Sequence, residues 1–365
     1  MKFRRAFLLM AALLLVIGAA LPTAGQDTKA VTIVYDQELD NLNPMYSSMF
    51  FMGITQSLYL APAWNFDPDL NPVPVLVTEI PSTENGGLSE DGTTITLSLR
   101  DDIVWSDGEP ITSADFIFTY DMFMAEGNLV NSRYPYEEIA SIEAPDETTV
   151  VVTFDEPFAP WLATLFGEVL PEHVLAPVFE AEGTLDTAEW NRAPTVSSGP
   201  FVFAEWEIGS FMRFDRNENF YDGAPILDAV LIRFVPDSET LLATLLNGEA
   251  DMATFISYAD VPALEESGFT PQIVNSGYNE QWFLNLREGL GHPSLTDPLV
   301  REALVLAFDR FSITEDLLND LTYPADSYWE GSPYDNPETD APTYDPVRAA
   351  ELLDEAGWVD SDGDG

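Results

Sequence analysis

Between residues 94 and 99, apolar Ile95, Leu97 and Leu99 alternate with Thr94, Thr96 and Ser98. That two-residue period predicts a strand with one buried face. Asp91-Gly92 before it and Asp107-Gly108 after it read as turns. At Thr112 the period changes. Thr112 with Asp115 forms a capping box that opens an amphipathic helix over 116–124, ending near Gly127. The same reading predicts strands over 31–35, 149–154, 201–206, 211–215 and 229–235. Residues 157–177 hold a short helix and turns, after a Pro-rich passage over 62–81. Asp237 or Ser238 caps a helix over 239–247 that Gly248 closes. Asp297-Pro298 opens a helix running to about 311, and Asp345-Pro346 opens another that ends at Gly357. Strands and helices mix irregularly, which predicts an α/β or α+β chain of several lobes.

Charge changes the picture next. The chain carries 63 Asp and Glu against 14 Lys and Arg, a formal net charge of −49. With 46% apolar residues it still has material for a full core, so this is not a disordered acidic tail. A field of that sign repels nucleic acid and anionic lipid. Lys2, Arg4 and Arg5, the apolar run 7–20 and Thr23-Ala24-Gly25 read as a signal peptide over 1–25. That leaves 11 cations in a mature chain starting near Gln26. The alternative is a membrane anchor, but the run is short of the ~20 residues a span requires. There is no cysteine, hence no lipobox, disulfide or thiolate site. The expectation is a secreted protein, periplasmic or at the cell surface.

Candidate chemistry is sparse. The G-x-S-x-G elbow, H-E-x-x-H and the P-loop are all missing from the sequence, and His173 and His292 are its only imidazoles. With so many carboxylates, acid pairs arise by chance. No catalytic residue is assigned. Asp360, Asp362, Asp364 and Gly365 match positions 1, 3, 5 and 6 of a calcium loop, with an acidic turn as the simpler reading. Three places offer ligand contacts. Tyr46, Met49, Phe51 and Met52 follow the Asn43-Pro44 turn, with a buried helix face over 50–59 as the alternative. Arg133, Tyr134 and Tyr136 place a cation between two phenol rings, fit for an anion or a stacked group. Trp282 either stacks on ligand or packs in the core.

The order of short motifs carries a resemblance. Leu42-Asn43-Pro44, Trp105-Ser106-Asp107-Gly108, Val169-Leu170-Pro171-Glu172-His173, Ser198-Gly199-Pro200-Phe201, Gly223-Ala224-Pro225, Val300-Arg301-Glu302-Ala303-Leu304 and Tyr344-Asp345-Pro346 appear in sequence. Each is common alone; together and in order they resemble the family 5 extracellular solute-binding proteins of ABC importers. The resemblance implies a periplasmic-binding-protein-like α/β fold, multi-lobed, with a hinge and a ligand cleft. It puts lobe I at 26–60 and 195–270, lobe II at 61–194 as an insert, and the start of lobe III at 271–365, with 279–285 as the strand entering it. Family members continue further, so the third lobe is expected to be incomplete. The implied partners are a peptide or other small solute and a membrane permease, with no cofactor and a monomeric receptor. Peptide, nickel chelate and sugar all remain open as ligands. A secreted hydrolase acting on polymers and a solute sensor without transport are the alternatives.

Overall fold

The computed structural model describes residues 29–274, 279–287, 289–330, 332, 334–361 and 363. The signal-peptide segment, and Asp362 and Asp364 of the acidic turn, lie outside the described residues. The elements run β1 (Ala30–Tyr35), α1 (Phe50–Tyr59), β2 (Trp64–Phe66), β3 (Pro72–Pro74), β4 (Thr94–Ser98), α2 (Ser113–Met124), β5 (Ile139–Asp146) and β6 (Thr149–Phe154). After them come α3 (Trp161–Thr164), α4 (Glu172–Glu182), β7 (Phe201–Glu207), β8 (Phe211–Arg216), β9 (Ala229–Phe234), α5 (Ser238–Leu246) and β10 (Met252–Ala253). Then follow α6 (Val261–Glu266), α7 (Pro298–Ala307) and α8 (Pro346–Glu355). They form two compact units, divided between Thr254 and Phe255.

The first unit is built on a five-stranded sheet in the order β10-β1-β9-β8-β7. β1 lies between parallel neighbours, pairing Tyr35 with Phe234 and Ile33 with Met252. β7, β8 and β9 are antiparallel. A strand flanked by parallel neighbours reads as a run of apolar residues, as Val31, Ile33, Val34 and Tyr35 do. Between β1 and β7 the chain makes a second, antiparallel sheet, β4-β6-β5. There Ile95 and Leu97 face Val152 and Val150, all fully buried. One hydrophobic core runs through both sheets and the helices on them, with Trp105, Tyr35, Tyr59, Phe116, Phe166 and Phe214 among its largest fully enclosed side chains.

The two ends of the segment between these sheets meet at one backbone group. The Tyr59 carbonyl, in the last turn of α1, accepts from both Ser198 N and Gly199 N at 3.0 Å. Ser198 Oγ accepts from Ala61 N at 2.9 Å, and Asn217 Nδ2 donates to the Gly199 carbonyl at 2.8 Å. A Cβ on Gly199 would meet the Leu58 carbonyl at 2.7 Å and the Tyr59 backbone at 2.8 Å, so only glycine fits.

The capping box at α2 forms as the sequence predicts. Thr112 Oγ1 accepts from Ala114 N, and Asp115 Oδ2 accepts from Thr112 N at 2.8 Å. Asp115 does more: its Oδ1 accepts from Glu172 N at 3.0 Å, tying the start of α4 to the start of α2. Burial raises its pKa to about 6, outweighing the backbone N–H groups and nearby His173, which pull it down.

In the second unit, α7 packs on α8 around Ala303, Ala349 and Leu352. Two expectations are corrected here. Residues 279–285 form no strand, because no described strand in this unit offers them a ladder partner. The helix from Pro298 stops at Ala307, where Phe308 turns to an extended backbone. Asp309 then caps a separate short turn through Ser312 N. In the first unit, residues 157–177 hold the short helix α3 and turns as expected, and α4 starts there at Glu172, runs through Pro177 and ends at left-handed Gly183.

Two outcomes follow. Gly199→Ala should lower the unfolding free energy by about 2–3 kcal/mol in urea titration, as forced overpacking does; an unshifted midpoint would mean the crossover relaxes freely. Asp115 has a folded pKa above its unfolded value. Its contribution to stability is therefore full below about pH 4 and is lost as pH rises through about 6. The stability difference between wild type and Asp115→Asn should change across that interval, and a pH-independent difference would place the carboxyl in water.

Candidate functional site

Two loops of the first unit carry the sequence-predicted contacts. The first, after β1, is held by buried asparagines. Asn43 Nδ2 donates to Asn191 Oδ1 at 2.8 Å, Asn43 Oδ1 accepts from Met45 N at 3.0 Å, and Leu42 N donates to the Asn191 carbonyl at 2.7 Å. The Tyr59 hydroxyl donates to the Leu42 carbonyl. The second loop is fixed by Asn128, also buried, whose Oδ1 accepts from Leu185 N at 2.7 Å. Asn131 N donates to the Met45 carbonyl at 3.1 Å and joins the two loops.

On this frame Tyr46 is half-buried. Burial first, then the adjacent Asp186 carboxylate, hold its phenol above the usual tyrosine range. Met49 is the N-cap of α1 and half-buried; its carbonyl takes the N–H groups of Met52 and Gly53. Phe51 and Met52 are core residues, 3% and 2% exposed, with the Phe51 ring 4.4 Å from Tyr35. The buried-face reading of 50–59 therefore holds for these two, and packing rather than solute accounts for them. Tyr136 is likewise buried, stacked on Phe123 at 4.6 Å and edge-on to Phe166 at 5.8 Å. Arg133 turns inward, and its guanidinium donates to the carbonyls of Ala125 and Asn128 at 3.2 and 3.5 Å. Ala125 is the C-cap of α2, so the cation closes a helix end. Tyr134 is exposed, with its ring edge-on to Phe158 at 6.0 Å.

In the second unit Trp282 is 66% exposed and lies 4.4 Å from the Phe308 ring. Arg310 in turn sits 5.5 Å over Phe308.

Sequence reasoning missed two carboxylate groups. Glu168 follows Phe166-Gly167; burial raises its pKa to about 7 against a downward pull from Gln56, and its charge adds to burial in raising the phenols of Tyr59 and Tyr136. Its signal was a lone charge inside the apolar run 165–170. Asp326, Glu330 and Asp335 bring carboxylate oxygens within 4.8 Å of one another, which no linear spacing announced. Asp360 instead accepts from Gly363 N at 2.8 Å, a local turn bond. The imidazoles are occupied as well. His173 Nε2 lies 3.0 Å from Asp107 Oδ2 with its ring against Trp105, and His292 Nδ1 lies 2.7 Å from Ser294 Oγ.

Residues 71–365 match the family described as bacterial extracellular solute-binding proteins, family 5 middle. A Brucella ovis protein named as an ABC transporter peptide-binding protein is 32% identical over 282 residues, covering 74% of this chain and 50% of the relative. The oligopeptide-binding protein AppA of Bacillus subtilis is 27% identical, with coverages of 77% and 51%. The chain thus spans about half the length of the curated relatives it matches. Among solved structures, NikZ from Campylobacter jejuni, in complex with Ni(L-His), superposes with a TM-score of 0.75 and 27% identity over 91% of this chain and 64% of that one. The periplasmic-binding-protein-like fold is shared, and the chain belongs to the family 5 bacterial extracellular solute-binding proteins.

Proposed function

We propose that this protein captures a peptide or similar small solute outside the cytoplasm and delivers it to the membrane permease of an ABC importer. The observation that carries the reading is the family match over residues 71–365. Relatives named for peptide and for a nickel–histidine complex support it and leave both solute types in play. We take the chain to act without catalysis, as membership of a solute-binding family implies. Among the described residues no helix is long and apolar enough to cross a membrane. The lobe boundaries at 61, 195 and 271, and the leader over 1–25, belong to the same proposal. The five-stranded sheet supports the first pair, since its strands come from both sides of 61–194.

Calorimetric titration of the purified protein with short peptides and with Ni(L-His) tests the reading. Saturable one-to-one binding, with the peptides recovered intact, is the expected result. Cleavage over many turnovers would make it a hydrolase instead.

Tyr46, Met49, Arg133, Tyr134 and Trp282 are the proposed contacts that keep accessible surface. Trp282→Ala should weaken binding by about 1–3 kcal/mol with the urea midpoint unmoved; a shifted midpoint with unchanged affinity would make it a packing residue. Arg133→Ala should cost about 1 kcal/mol of stability, because two backbone carbonyls lose their donor.

A further inference from the structure

The five-stranded sheet of the first unit ends in a groove. β7 is its outermost strand and pairs with β8 alone. Among the described residues no backbone group bonds to its other edge between Val202 and Trp206. The strand carries one bulge. Phe203 stands opposite Phe214 and Glu205 opposite Arg213, so Ala204 is the extra residue. The insertion shifts the alternation of side chains. Phe203 and Trp206 now share a face, that of Phe214 and Met212, which lie two apart on β8 and are fully buried. The core face thus continues past β8 into two rings that are only half-buried.

Arg192 covers the second of these rings. Its guanidinium lies 5.3 Å over Trp206, and the two line a groove of about 330 Å³ together with Phe203, Ala204 and Ile208. Glu205, the other charge of the groove, stands opposite Arg213, on the face of the strand turned away from Trp206. The platform is fixed: the Trp206 indole N–H donates to Glu38 Oε1 at 2.8 Å, and the same oxygen takes Gly209 N at 2.9 Å. Stacking uses the flat face of a guanidinium and leaves its N–H donors free in the plane. Among the described residues no carboxylate or carbonyl accepts from those of Arg192, whereas Arg216, for one, holds Asp228 at 2.8 Å.

We propose that this groove binds the C-terminal end of an extended chain whose last residue is apolar. The terminal carboxylate takes the in-plane donors of Arg192. The last side chain lies against Phe203 and Ile208 at the rim of the Trp206 ring, and the backbone before it pairs with the open edge of β7. A chain end suits the groove better than an internal acidic residue. Its carboxylate and side chain spring from one Cα, whereas in a continuing strand an acid and the next side chain on its face stand about 7 Å apart. With Arg192 only 5.3 Å from Trp206, the groove favours the closer pair. The site does not depend on the solute-capture reading above.

Fluorescence anisotropy of an N-terminally labelled pentapeptide, Gly-Ser-Thr-Val-Leu, titrated with the purified protein, tests the site. The peptide is used with a free carboxylate and as its C-terminal amide. The acid should bind one-to-one and about tenfold tighter than the amide. Arg192→Gln should bind the two alike, with the urea midpoint unmoved because Arg192 is exposed. Arg192→Lys should recover only part of the gap, since an ammonium keeps the charge without the fork. Wild-type protein that binds acid and amide equally overturns the inference and leaves solute capture through other contacts standing. Binding of neither peptide overturns it too. A gap that survives Arg192→Gln places the carboxylate elsewhere and has the same result. Free leucine that displaces the peptide at equal concentration would make the occupant an amino acid, not a chain end, and would overturn the proposal as well.

Discussion

One carbonyl oxygen, that of Tyr59, holds the first unit together. The chain leaves from there, builds a two-stranded and a three-stranded sheet with three helices, and returns to the same atom through two consecutive N–H groups, those of Ser198 and Gly199. Closing a loop of more than a hundred residues carries an entropy that grows only slowly with its length. The requirement is therefore local: a junction where backbone meets backbone with no side chain between. Tyr59 meets it with every part of itself. Its carbonyl takes the returning strand, its hydroxyl fixes the loop after β1, and its ring stacks on Phe214 of β8 at 5.9 Å. Within this arrangement the candidate loops after β1 and after α2 sit on buried asparagines rather than on the surface.

Much of this was legible before any coordinates. Alternation over 94–99 and 149–154 made both strands legible; which residues pair was not, and the buried face of their sheet sets Leu97 opposite Val150, since a slip of one residue would expose it. The caps at Thr112, Asp237 and Asp345 were readable because a short polar side chain before a helical run satisfies orphan N–H groups locally. β5 escaped notice: its outer face is exposed and its register shifts twice against β6, so no clean period survives in the sequence. The strand expected over 279–285 needed a neighbour, and propensity cannot supply one. The site was less legible than the fold. An aromatic beside an arginine looks the same in sequence whether it faces solvent, as Tyr134 does, or packs against Phe123, as Tyr136 does.

Asp115, which is buried, and Glu168, which is half-buried, show how a strongly acidic chain treats carboxylates it draws out of water. Asp115 receives two backbone N–H bonds and still has a raised pKa, since leaving water outweighs what two donors return. Glu168, among tyrosines, is pushed higher. Exposed acids such as Asp102, bound by Arg100, move the other way. The interior is thus closer to neutral than the composition indicates, and the excess negative charge resides on the surface.

The place of β1 at the interior of its sheet has a temporal consequence. The strand translated first finds its partners about 200 residues later, in β9 and β10, so most of its ladder cannot exist until nearly the whole first unit has been synthesised. Such long-range pairing gives the unit a high contact order and makes its folding slow. Until β9 and β10 have been made, β1 has no ladder of its own to close, and the sheet is complete only once Ala253 has followed.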